Sequence, residues 1–151
     1  MKLAEALNLR ADLQKRIANL KERLIKNAKV QEGDIPSENP HTLINELNDN
    51  IIELENIIKL INKTNSSTYV DNESISDIIA KRDALGLKIS ILRSFISESA
   101  DKIERYSNKE IKILSTVNVA EMQKQVDNLS KEYRLIDTKL QGLNWTTDII
   151  S

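Results

Sequence analysis

The chain has 151 residues, about one domain's worth, with no Cys, one His, three Gly, two Pro and five aromatic residues. This excludes a disulfide framework, a zinc-thiolate site, a thiol nucleophile and any site needing two imidazoles from one chain, and leaves too few glycines for a phosphate-cradling loop. Charge is balanced, 22 basic against 23 acidic side chains, which argues against a general nucleic-acid binder or a polybasic membrane adherent.

The core must be aliphatic, because 18 Leu and 21 Ile dominate the apolar residues. They recur at spacings of three and four, the signature of helices packing along a seam. The first predicted helix, about residues 2–28, carries Leu3, Ala6, Arg10, Leu13, Ile17, Leu20 and Leu24 on that seam, with Arg10 the polar exception. The second, about 41–64, follows the Asn39-Pro40 start signal and carries Ile44, Leu47, Ile51, Leu54, Ile58 and Ile61, widened by Leu43, Ile57 and Leu60. The third, about 75–105, carries Ile75, Ile78, Arg82, Leu85, Ile89, Leu92, Ile96, Ser99 and Ile103, with Ser74 as its expected cap. The fourth, about 119–142, opens with Asn118 and Glu121 in a capping-box arrangement. It runs Val119, Met122, Val126, Leu129, Tyr133, Ile136, Leu140 and Leu143 without a miss.

The connections add detail. Residues 29–39 form an acidic loop containing Glu32, Gly33, Asp34 and Glu38, and alternation over about 109–117 reads as a half-buried strand. A lone strand needs a partner, and residues 68–70 are the best candidate within the chain, a second copy being another. The expected fold is mainly α: a bundle or coiled coil of about four long amphipathic helices in a single domain, with a small β-ribbon at one end. Residues 1–29 hold eight basic and three acidic side chains, residues 30–58 seven acidic and no basic ones, so the first two helices are expected to pair as an antiparallel hairpin.

Arg10 and Arg82 interrupt apolar seams. Each must find a carboxylate or reach water, and Glu5, Asp12, Glu55 and Asp83 are the partners in range of the pattern. Either they form structural ion pairs, or an arginine binds an anion within the bundle. Gly86 in the third helix implies close approach by another backbone. His41 lies beside the acids of the 29–39 loop without ligand-like spacing, so no metal and no cofactor is expected. Trp145, beyond the fourth helix, suits an interface anchor, as do Tyr69 and Tyr106 at connections.

Several stretches together carry a resemblance: Met1 to Leu7, Leu9 to Leu13, Asn27 to Asp34, Arg82-Asp83, Arg105-Tyr106-Ser107 with Glu110-Ile111, and Asn144 to Thr147. They resemble a family of small bacterial proteins of unknown function often labelled septicolysin-like. The label implies a membrane-active toxin, and the resemblance brings no catalytic residues with it. It marks the loop holding Lys29 and Glu32 as the first place to look for a site.

The residues themselves favour a self-associating helical protein with a structural or interaction role, a homo-oligomer rather than an enzyme. The wide Ile-rich face of the second helix and the unpaired strand leave surface for another copy. The alternatives are the septicolysin-like toxin, the one reading that involves a membrane, and an anion- or small-molecule-binding enzyme. The enzyme would use Arg10, Asp12, Arg82, Asp83, Lys29 and Glu32. No nucleic-acid partner is expected. No run approaches 18 consecutive apolar residues, and Glu5, Arg10 and Asp12 break any signal-peptide core, so a cytoplasmic location is expected.

Overall fold

A computed structural model describes residues 1–101 and 111–151. The fold is mainly α, with four long helices and one small antiparallel ribbon among the described residues. The helices are α1 (Leu3–Lys26), α2 (Pro40–Ser67), α3 (Ile75–Ala100) and α4 (Val119–Thr146), and the ribbon pairs β1 (Tyr69–Val70) with β2 (Glu73–Ser74). The chain divides into two compact units, residues 1–75 with 142–151, and residues 76–141. No helix among the described residues is long and apolar enough to cross a membrane.

In the first unit α1 and α2 pack backbone-close. Lys2 caps α1, its backbone N–H donating to the Glu5 carboxylate at 2.6 Å, and the Asn39 side chain caps α2 by accepting from the His41 N–H at 2.9 Å. Leu3, Ala6, Leu13 and Leu20 are buried along the α1 seam as expected. The α2 seam keeps Ile61, with Leu47, Leu54 and Ile58 half-buried, but takes Leu43 and Ile57 from the widened face in place of Ile44 and Ile51. Leu43, Ile57, Ile61 and Thr64 are buried, whereas Ile44 and Ile51 are exposed. Thr64 is at home there because its hydroxyl donates to the Leu60 carbonyl at 2.8 Å and accepts the Ile150 N–H at 3.0 Å. That second bond docks the C-terminal residues on α2. The Leu3 N–H donates to the Thr147 carbonyl at 2.8 Å, the Ile149 N–H to the Met1 carbonyl at 3.0 Å, and Lys2 pairs with Asp148 at 2.9 Å.

The strand expected at about 109–117 is not formed over residues 111–117, which run without regular structure; residues 109 and 110 lie outside the described residues. The partner of the 68–70 strand is instead the segment immediately after it. Asp71 and Asn72 both take positive φ, 51° and 67°, the geometry of a two-residue type I′ hairpin turn. A local turn closes a ribbon with little loop entropy, so no distant strand is needed. The described part of α3 ends at Ala100, and the rest of the expected helix from residue 102 to 105, with Ile103 and also Tyr106, lies outside the described residues.

In the second unit α3 and α4 are spaced by side chains. Ile89, Ile96 and Val126 are buried between them, with Leu85, Leu92, Val119, Met122, Leu129 and Tyr133 packed around. These are the expected seam positions. Gly86 does mark a close approach, but by an aromatic ring and not a backbone: a Cβ there would meet Tyr133 Cε2 at 3.1 Å. Gly86→Val should therefore overpack the seam and lower stability by about 1–3 kcal/mol. Adding Tyr133→Ala should recover part of that loss, as read by urea unfolding of the single and double variants.

Candidate functional site

The segment singled out for its pattern, Asn27 to Asp34, belongs to a loop clasped at its base. Arg23, near the end of α1, forms a forked pair with Glu38, its Nε donating to Oε2 at 3.0 Å and its Nη2 to Oε1. Asn27 completes the clasp: its Nδ2 donates to the Arg23 carbonyl at 2.8 Å and its Oδ1 accepts the Glu38 N–H at 3.0 Å. Gly33, at φ 90°, turns the chain inside the loop. The hydrogen bond from Arg23 holds the Glu38 carboxyl below its ordinary range, and raises the Arg23 guanidinium. Lys29 and Glu32 are exposed and make no ion pair among the described residues, and Ile35 is 88% exposed. Lys26, Lys29 and Asp34 contribute to a shallow polar cavity of about 320 Å³.

The two seam arginines meet different fates. Arg82 is ion-paired, with Nη1 donating to Asp137 across the α3–α4 seam at 2.9 Å and Nε to Asp83 at 3.1 Å. Burial opposes its charge, but the hydrogen bonds from Asp137 and Asp83 outweigh burial and hold its pKa above the ordinary value. Arg10 is half-buried and makes no ion pair among the described residues. Glu5 is engaged by the Lys2 N–H, Glu55 by Lys59, Asp83 by Arg82, and Asp12 is exposed. Arg10 lies in the first unit and Arg82 with Asp83 in the second. From Arg10 to Lys26 the helix rises about 24 Å at about 1.5 Å per residue, so Arg10 does not reach the clasped loop. Within the first unit, Arg10 and the clasped loop are thus separate.

A different group converges in the second unit. Gly86, Ile89, Ser90, Arg93 and Ser94 of α3 face Ser130, Tyr133 and Arg134 of α4 across a groove of about 510 Å³. Arg93 Nη2 donates to the Oγ of buried Ser130 at 3.1 Å. Neither Arg93 nor Arg134 makes an ion pair among the described residues. The spacing Gly86, Ser90, Arg93 is a polar line flanking the seam; it carries the same three-and-four rhythm as the apolar residues and was legible only as a solvated face.

Beside that groove α3 presents a second apolar line. Leu87, Ile91 and Phe95 follow one another at intervals of four and are 63%, 59% and 41% exposed. Trp145 falls inside the last turn of α4, not beyond it, because Thr146 Oγ1 and the Thr147 N–H continue the bonding to the Gly142 and Leu143 carbonyls. It is exposed, as is Tyr69 on β1. His41 is exposed, and no group of three or more His, Asp or Glu side chains among the described residues is placed to hold a metal ion.

Two measurements check these assignments. Arg10→Met should change stability by no more than about 0.5 kcal/mol, whereas Arg82→Met should lower it by about 1 kcal/mol, both read by urea unfolding. Because the folded Glu38 pKa is depressed, the clasp's stabilisation is present above the ordinary glutamate range and is lost as pH falls through the folded value. Carbon-detected NMR titration should place the Glu38 midpoint below that of an unpaired glutamate, and Arg23→Gln should return it there.

No curated protein matches the chain. The crystal structure of a functionally unknown conserved protein from Corynebacterium diphtheriae is similar over 99% of both chains, with TM-score 0.93 and 38% sequence identity. Residues 10–149 match the model of a family of unknown function, DUF6847. The chain therefore belongs to that family.

Proposed function

We propose that this protein acts through self-association, as a cytoplasmic structural or interaction protein and not as an enzyme. The observation that carries this reading is the uncovered line Leu87, Ile91 and Phe95 on α3. A helix that is apolar on both its inner and outer faces is ordinarily buried on both. Fully burying a side chain of this size is worth about 1.5–3 kcal/mol, so a regular row of three is a costly surface to leave in water.

The charge order of α3 favours a second copy as the occupant. Lys81 lies ten residues before Ile91 and Asp101 ten residues after it. An antiparallel pairing of two α3 helices about Ile91 sets Leu87 against Phe95 of the other copy. It also sets Lys81 of each helix against Asp101 of its mate. Such self-complementarity is what a two-fold interface requires. Trp145 and Tyr69, both exposed, are further contact candidates in the first unit.

Light scattering coupled to size-exclusion chromatography should report a dimer or larger assembly at tens of micromolar protein. Ile91→Glu should convert it to monomer while leaving the circular dichroism spectrum unchanged. A wild-type monomer across that range would refute self-association. The same apolar line is what a septicolysin-like, membrane-active reading would use. Dye release from liposomes that depends on Leu87 and Ile91 would favour that reading instead.

A further inference from the structure

We propose that the α3–α4 groove of the second unit binds a phosphate group, carried by a small phosphomonoester or by the free ion. Its lining is cationic and rich in hydroxyls: Arg93 and Arg134, with Ser90, Ser94, Ser130 and Tyr133, and it contains no carboxylate. Asp137, one turn from Arg134 on α4, is already paired with Arg82.

The arginine on α3 is positioned without being neutralised. Arg93 is held by the uncharged oxygen of buried Ser130, which uses one of its five N–H donors and leaves its charge intact. Arg134 reaches the same groove from the opposite helix and has no ion-pair partner among the described residues. Two guanidiniums from facing walls suit a tetrahedral dianion, which presents acceptors in several directions. A planar carboxylate satisfies one fork and leaves the second arginine unmatched. The hydroxyls of Ser90 and Tyr133 supply neutral donors, whereas the Ser94 proton is already given to the Ser90 carbonyl at 3.2 Å. The volume, about 510 Å³, falls within the range of about 300–1,000 Å³ common for small-molecule sites. Ile89 and the Tyr133 ring give the organic part of an ester an apolar wall.

Titration of the full chain with inorganic phosphate, at ionic strength held constant with sodium chloride, tests this site. NMR of the arginine Nε–H signals provides the readout. Saturable shifts of Arg93 and Arg134 are expected, acetate should not reproduce them, and glycerol phosphate should bind more tightly than inorganic phosphate. Arg93→Gln and Arg134→Gln should each weaken binding by about tenfold or more, as expected for loss of a charge-assisted bond. Their thermal melts should match wild type because both side chains are exposed. Retention on phosphatidate vesicles, competed by inorganic phosphate and lost in the double variant, would place the phosphate on a lipid headgroup. Binding of glycerol phosphate without vesicle retention would place it on a soluble ester. Non-saturating shifts, equal shifts with acetate, or binding that survives in the double variant would overturn the proposal.

Discussion

A helix that is apolar on two sides but has one seam with its neighbour must leave the other side uncovered. That constraint governs the second unit. The inner face of α3 gives Ile89 and Ile96 to the core, while Leu87, Ile91 and Phe95 remain on the surface. Ile78 and Ile89 hold their places because the three-and-four rhythm keeps them on one face along the whole helix. The outer line has the same rhythm and the same chemistry. What distinguishes the two faces is only which of them found a partner within the unit.

The spacing of α3 and α4 depends on a small residue opposite a large one. Gly86 accepts the Tyr133 ring where any side chain would crowd it. Beyond that contact the gap between the helices is lined by short serines and by arginines that reach over it. Arg82 and Arg93 occupy the same helix, yet one is neutralised by two carboxylates and the other is held by a serine. The difference lies in what α4 places opposite: Asp137 in one case, Ser130 in the other.

The first unit is organised by polar closures around the α1–α2 seam. Lys2 with Asp148, the Leu3 and Ile149 backbone bonds, and Thr64 with Ile150 join the two ends of the chain to the helices. At the other end of α1, Arg23, Asn27 and Glu38 close the loop that carries Lys29 and Glu32. Exposed pairs of this kind contribute little stability each, about 0–1 kcal/mol, but they fix where the connecting chain runs. The basic-then-acidic order of the first 58 residues matches this hairpin, and its strongest expression is the Arg23–Glu38 fork.

The existence of four helices, and the inner faces of α1, α3 and α4, followed from the sequence because periodicity is a local property of the chain. Asn39-Pro40 and Asn118 with Glu121 marked their starts for the same reason. On α2, Leu47, Leu54 and Ile61 face inward as expected, but its apolar face is wide enough to offer alternatives, and only packing against α1, with Thr64 receiving Ile150, buries Leu43 and Ile57 in place of Ile44 and Ile51. The ribbon's partner was misplaced because alternation at 111–117 carries no information about distance, whereas Asp71-Asn72 can close a hairpin on the spot. The groove arginines were hidden because an arginine flanking a seam looks solvated until the opposite helix is in place. The sequence by itself determined which segments are helical and which faces are apolar. Only the tertiary structure decided which faces are covered, which charges are neutralised and which remain open, because those depend on residues brought together across the fold.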